Sequence, residues 1–475
     1  MQNKPPSPAS RSFYRLALHT LLLLSSLEGL AATLPLTVTQ ALHSAAIPLS
    51  NTAVVVQGVD TPHPLVRHNA SHAMNPASAM KLVTTYAALD LLGPAFTWKT
   101  EALADTAPLN GQIDGNLYLR GSGDPSLTQE RLWLLLHKLR SHGLAVIDGN
   151  LILDRSAFDL PPHDPAKFDN KPLRPYNSGP DALMANLNSL TLTVQPQPAS
   201  NEVSVFVETP DNRLRLHNRL HLENGETCGD WREKISVSAD DETIELSGRF
   251  SVACGTKALH LSPWVADKQF GRLFGTLWHE VGGHLGGKVT AGKTPENAIL
   301  LADHDSPPLA EIVRDINKYS NNVMARQVFL TLDDARPATP EGARRRLQNW
   351  LSAKQLDQAG LVIDNGSGLS RQARISADGL ARLLQSAWGS PVMPELMASL
   401  PVAGIDGTLR KRLNGSTTHG RAHLKTGYLE GVRSIAGYVL DKHGKRWIVV
   451  FLINDANARN GKPAMDALLD WVADH

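Results

Sequence analysis

"NPASAMKLVTTYAALDLLG", Asn75 to Gly93, is the stretch on which the reading of this 475-residue chain turns. Pro76 suits the first position of a helix and Asn75 its cap, since proline lacks only an N–H that the first turn does not use, and Asn can accept from those that follow. Gly93 and Pro94 end it. Between them Met80, Leu82, Val83, Tyr86, Ala87, Leu89 and Leu92 spread over most of the helix surface, the mark of a buried helix. Lys81 is therefore expected to be buried as well, and a desolvated lysine either finds a partner or gives up its proton and becomes a base. Residues three apart on a helix are neighbours, so its amine can reach the Ser78 hydroxyl. The alternative is that Lys81 snorkels to the surface and Ser78 merely starts the helix. Ser-x-x-Lys alone does not decide between them, because it arises by chance in a chain of this length.

The setting narrows the choice. The length allows two or three domains. A formal net charge of +1 without a long basic run implies neither nucleic acid nor an acidic membrane surface as partner, and 42% hydrophobic with 20% charged residues is ordinary for a soluble globular protein. At the N-terminus Lys4, Arg11 and Arg15 precede the apolar run Leu16 to Leu27, and Gly29, Leu30, Ala31 and Ala32 supply small residues. This is the layout of a secretory signal peptide over residues 1–31, with an uncleaved anchor as the alternative. No later stretch is long and apolar enough to span a bilayer, so the mature chain is expected to be exported, without a transmembrane span, soluble or loosely membrane-associated. The two cysteines, Cys228 and Cys254, flank strand-like runs that a hairpin brings together. In an oxidising compartment a disulfide is expected rather than two free thiols.

Three textures follow one another. "TAVVVQGVDTPHPLVRHNAS" gives two strand-like runs around an Asp-Thr-Pro turn, leading into the Asn75–Gly93 helix. From about 96 to 289 short β runs and turns prevail, as in "GNLYLRGSGDPSLT", "SLTLTVQPQP" and "EVSVFVET", with a proline-rich interruption from Leu160 to Pro180. This reads as a large, mostly β insert. After Pro295 the pattern turns helical, and "SIAGYVLDKHGKRWIVVFLIND" then forms a hairpin around Lys442 to Gly444 before a terminal helix. The expected division is therefore a catalytic unit of residues 32–95 and 290–475 interrupted by residues 96–289, with strands from both ends of the chain sharing one sheet.

Two later motifs bear on Lys81. "YSNNVMARQ" places Ser320, Asn321 and Asn322 in or beside a helix among Ile316, Val323 and Met324. "RAHLKTGYLEG" places Lys425, Thr426 and Gly427 on a strand that a glycine lets a ligand approach closely. Singly each is weak; the order Ser-x-x-Lys, Ser-x-Asn, Lys-Thr-Gly is specific. By these motifs the chain resembles the low-molecular-mass class C penicillin-binding proteins, D-alanyl-D-alanine carboxypeptidases and endopeptidases of the serine type. The likeness covers essentially the whole mature chain. The interval from Ser78 to Ser320 is too long for a β-lactamase and suits this family, and "GSGDPSL", "DNGSGLSR" and "AGIDGTLRKR" resemble further family segments.

The resemblance implies an α+β fold of the penicillin-binding and β-lactamase-like transpeptidase type: a five-stranded antiparallel sheet with helices, an all-helical lobe, and the site between them. It implies that Ser78 attacks the D-Ala-D-Ala carbonyl to form an acyl-enzyme while Lys81 takes its proton. Ser320 would relay the proton to the leaving nitrogen, and Asn322 would orient Lys81 and the substrate amide. Lys425 would add a positive charge that lowers the Lys81 pKa and attracts the substrate carboxylate, which Thr426 would bind. The backbone N–H groups of Ser78 and Tyr428, flanking Gly427, would form the oxyanion hole. Tyr428 stands where many relatives have a small residue, which would alter the access of bulky substrates. The implied partners are peptidoglycan peptides and β-lactams in a bacterial periplasm, with no metal or organic cofactor. The oligomeric state is open. Two other readings on the same fold are a β-lactamase, which needs a further group to activate the deacylating water, and a non-catalytic penicillin-sensing or wall-binding module. A zinc protease is suggested only by "WHEVGGH"; its two histidines, His279 and His284, fall about 140° apart on a helix, and its two glycines weaken that helix.

Overall fold

The computed structural model describes Met1 and residues 33–475 apart from Pro210 and Asn212. Apart from Met1, the expected signal peptide lies outside these residues. Among them, no helix is long and apolar enough to cross a membrane.

A five-stranded antiparallel sheet joins the two ends of the chain. Its order is Ala422–Leu429, Val432–Leu440, Arg446–Asn454, Thr52–Gly58 and Val66–His68. The hairpin around Lys442 to Gly444 is present, and Thr52–Gly58 pairs along its full length with Arg446–Asn454. Both faces of the central strands are covered, which is why they read as unbroken apolar runs rather than alternating ones. On one face the helices Leu36–Ser44 and Lys462–Ala473 pack over Val54, Val56, Val449 and Phe451. On the other the sheet meets a helical lobe whose centre is the helix Lys81–Leu92, surrounded by Leu309–Lys318, Asn322–Thr331, Pro340–Ala353, Ala377–Trp388 and Met393–Ser399. Every residue from Lys81 to Leu89 is buried, as the all-round apolar pattern requires.

The start of that helix differs from the sequence expectation. Asn75 does accept a hydrogen bond from a following backbone N–H, that of Ala77, at 2.9 Å. The first turn, Ala77–Met80, is 3₁₀, and the α-helix begins only at Lys81. Ala77 has φ +45°, a backbone conformation that a Cβ makes costly. The chain thus makes a sharp elbow just before Ser78 instead of entering a regular helix at Pro76.

The insert has two cores of its own. One is a sheet in the order Val289–Ala291, Leu151–Asp154, Leu117–Gly121, Lys99–Ala104, Ile299–Asp305, packed against the helices Gln129–Ser141 and Ala266–Glu280. The edge pairing of Ile299–Asp305 with Lys99–Ala104 carries the insert beyond the expected boundary at 289. The other core is formed by two three-stranded sheets between Leu190 and Leu261, buried around Phe250, Leu192 and Ile244. Cys228 and Cys254 form a disulfide there. The "WHEVGGH" stretch does not form one helix: His279 is in the last turn of Ala266–Glu280, and His284 begins a short strand beyond the glycines.

Candidate active site

Three elements bring the motifs together where the edge strand Ala422–Leu429 meets the helical lobe. Lys81 is fully buried, with its Nζ 3.1 Å from Ser78 Oγ, 2.6 Å from Asn322 Oδ1 and 2.5 Å from the Ser367 carbonyl oxygen. No carboxylate pairs with it among the described residues. Burial, the nearby Lys425 and then Arg326 hold its pKa well below the usual lysine value. Lys425 is also fully buried; its Nζ donates to Ser320 Oγ and to the Thr426 carbonyl, each at 2.9 Å. Burial pushes its pKa down to about 7, so the charge expected of it from sequence is conditional on pH.

Ser320 sits at φ +57° immediately before Asn321, whose side chain caps the helix Asn322–Thr331 by accepting from the Met324 N–H. The capped start turns Asn322 toward Lys81 while Ser320 faces Lys425. The Thr426 hydroxyl lies 2.9 Å from that of Thr408. Tyr428 is exposed, its ring stacked beneath the Arg433 guanidinium. Gly427 is needed for close approach: a Cβ there would lie 2.9 Å from Ser78 N and 2.7 Å from the Pro76 carbonyl oxygen. Ser434, paired with Gly427 on the next strand, donates from Oγ to that same Pro76 carbonyl at 2.6 Å. The turn carrying Ser78 is therefore clamped to the sheet. Asn454 adds a reciprocal pair with the Asn75 backbone, accepting from its N–H at 2.8 Å and donating to its carbonyl at 3.0 Å.

Sequence reasoning assigned no role to the loop of "DNGSGLSR", Asp364 to Arg371. This loop runs along the helix Lys81–Leu92 and bonds that helix and its lead-in at three points: the Ser367 carbonyl to Lys81, the Gly366 carbonyl to Thr84 Oγ1 at 2.7 Å, and the Ser370 carbonyl to Asn75 Nδ2 at 2.8 Å. Gly368, at φ +76°, fits so tightly that a Cβ would fall 1.9 Å from the Ala77 carbonyl oxygen. Its two glycines were the available signal. Arg326 was also missed. It is a cation in a helix buried on all sides, the same anomaly that singled out Lys81, and burial lowers its pKa to about 10.

The arrangement supplies a hydroxyl beside an amine that burial favours as neutral, a second buried amine, and hydroxyls along the strand edge. Such a set can make and break an acyl bond. Comparison with known proteins agrees. The profile of the D-Ala-D-Ala carboxypeptidase 3 (S13) family matches residues 35–474. A D-alanyl-D-alanine carboxypeptidase from an Actinomadura strain is 30% identical over 445 residues, covering 88% of this chain and 80% of that protein. The carboxypeptidase DacB of Haemophilus influenzae is 25% identical, with 85% of each chain covered. The crystal structure of penicillin-binding protein 4 from Haemophilus influenzae superposes with a TM-score of 0.78 at 23% identity, over 93% of this chain and 100% of that one. With motifs, fold and whole-length likeness in agreement, the chain belongs to the D-Ala-D-Ala carboxypeptidase 3 (S13) family, on the fold of penicillin-binding protein 4.

Proposed function

We propose that the protein is a serine-type D-Ala-D-Ala carboxypeptidase that is also a DD-endopeptidase of peptidoglycan cross-links, acting through an acyl-enzyme at Ser78 and inhibited by penicillin. The observation that carries the reading is the buried Lys81 amine, unpaired by any carboxylate among the described residues and 3.1 Å from Ser78 Oγ. A neutral amine has two N–H donors and one lone pair. The two shorter contacts, to Asn322 Oδ1 and the Ser367 carbonyl, use the donors, and the lone pair is left to accept the Ser78 proton. Attack on the substrate carbonyl then forms the ester, with the oxyanion held by the Ser78 and Tyr428 N–H groups, a donor there being worth about 3 kcal/mol. The proton passes to the leaving nitrogen through Ser320, which Lys425 holds, while Thr426 binds the carboxylate beside it. Water hydrolyses the ester. A Haemophilus influenzae penicillin-binding protein 4 of the same fold, with a TM-score of 0.72, has been solved in complex with a β-lactam. The charged, apolar and small-residue layout of the N-terminus, together with the disulfide of the insert, supports export to the periplasm.

Labelled penicillin is expected to attach covalently at Ser78, because β-lactam ring opening leaves the same ester, and Ser78→Ala is expected to take no label while staying folded. Peptide mapping is the check; label on another serine would sink the assignment. Acylation also needs Lys81 neutral and Lys425 charged. As pH falls through the depressed Lys81 pKa the base is protonated and the rate drops; as pH rises through about 7 Lys425 loses its charge in the free cleft and carboxylate recognition weakens. The profile of kcat/KM reports these free-enzyme groups. Lys425→Arg is expected to move the alkaline limb upward, since a guanidinium keeps its charge. An unmoved limb would assign it to another group.

A further inference from the structure

Beyond Thr426, on the side of the helix Lys462–Ala473, lies a cavity of about 250 Å³ whose lining includes Thr408, Lys411, Arg412, Thr426, Arg433 and Lys462. Its position follows from the sheet. Arg433 pairs with Tyr428 across the two strands, so both side chains lie on the face that Thr426 also presents. Four cations therefore stand around the end of the cleft. Among the described residues one carboxylate is paired with them: Asp466, bonded to Arg412 Nε at 2.6 Å. Arg412 is only 9% exposed, yet its Nη2 has no hydrogen-bond partner. Arg433 gives its Nε to the Ala458 carbonyl at 3.2 Å, and Lys411 and Lys462 are exposed without an ion pair among the described residues. After burial, Arg412 is the next cause that lowers the Arg433 pKa, so the two guanidiniums repel each other. A buried guanidinium left short of acceptors beside three further cations is costly unless an anion occupies the space.

The occupant has to be continuous with the substrate, because Thr426 forms both the carboxylate end of the cleft and the near wall of the cavity. Release of D-alanine gives a leaving group with one carboxylate, which Thr426 and Lys425 already serve. A leaving group that is itself a peptide carries additional carboxylates farther along. We propose that this cavity is a subsite for those carboxylates, recognising an acidic peptide on the leaving-group side of the scissile bond. The inference rests on the endopeptidase reading above and adds the residues that would favour cross-linked substrates over single stem peptides.

Binding tests it separately from cleavage. A synthetic acidic peptide carrying the free amine of the leaving group, and the same peptide with its carboxylates amidated, are titrated calorimetrically into the full chain as Ser78→Ala. The acidic form is expected to bind, more weakly as salt rises. Amidation, or the paired change Lys411→Ala and Lys462→Ala in the same background, is expected to weaken it about tenfold, since exposed ion pairs contribute up to about 1 kcal/mol each. Both lysines are exposed, and circular dichroism checks the fold. Equal affinity for the two peptides, unchanged affinity in the lysine variant, or no binding to Ser78→Ala would each overturn the subsite. Failure of the wild-type chain to cleave a cross-linked dimer that it binds would instead remove the endopeptidase reading.

Discussion

Lys81→Arg is expected to abolish acylation of Ser78 by substrate and penicillin alike, a loss of about 10³-fold or more, because a guanidinium cannot accept the serine proton at any accessible pH. The site leaves it no alternative. Lys81 Nζ sits among Ser78 Oγ, Asn322 Oδ1 and the Ser367 carbonyl with no water-exposed surface, so no other described group is poised to serve as base at that distance. Lys425→Arg keeps a cation at the strand and is expected to retain partial acylation with weakened ligand recognition. Lys425→Ala, which leaves Ser320 without its donor, is expected to lose much more. Acylation rates of the three variants with labelled penicillin, each confirmed as folded by circular dichroism, give the comparison. Lys81→Arg acylating as well as Lys425→Arg would remove Lys81 from the role of base.

Gly368→Ala is expected to slow acylation at least about a hundredfold, although Gly368 bears no functional group, since misplacing a reacting atom by about 1 Å has a cost of that order. Its φ of +76° is unfavourable for alanine, and the added methyl would meet the Ala77 carbonyl oxygen at 1.9 Å, backbone against side chain with nothing flexible to yield. The turn holding Ser78 must move or the loop must lift away, and either parts Ser78 Oγ from Lys81 Nζ. Gly415→Ala separates strain from displacement: Gly415 has φ +75° but nothing within 4 Å of the site of its Cβ. Both variants are expected to lose about 1 kcal/mol of stability from the backbone alone, and only Gly368→Ala to lose acylation out of proportion to its melting temperature. Wild-type acylation in Gly368→Ala would mean that the loop does not position the nucleophile turn.

What could be read in advance follows from how local each signal is. The central strands and the Lys81–Leu92 helix were legible because burial on all sides leaves an unbroken apolar run. The motifs were legible because Ser78 and Lys81, or Lys425 to Gly427, lie within one turn or one strand. The elbow at Ala77 was not. Its positive φ is imposed by Gly427 on one side and Gly368 on the other, residues remote in sequence, against alanine's own preference. Ile299–Asp305 was hidden for a similar reason: it is an edge strand whose ties, its pairing with Lys99–Ala104 and the Lys138 contact to Asp303, reach residues remote in sequence. The conditional charge of Lys425 was hidden as well, since it depends on complete burial without a carboxylate partner, which no spacing reveals.

The pairing of Thr52–Gly58 with Arg446–Asn454 also dictates a timetable. During synthesis Ser78 emerges early, but the strand Ala422–Leu429 that must lie against it, and the two strands that carry that one, are among the last segments made. Until then the first strand has only Val66–His68 as a neighbour, and its other, apolar edge stays open, a hazard for association with other chains. The two cores of the insert, one spanning Leu190 to Trp264 and the other built from the segments on either side of it, are complete by Ala302 and need not wait. The catalytic half therefore assembles last around a finished middle, and a chain that stops short of the final strands carries its serine without any means of using it.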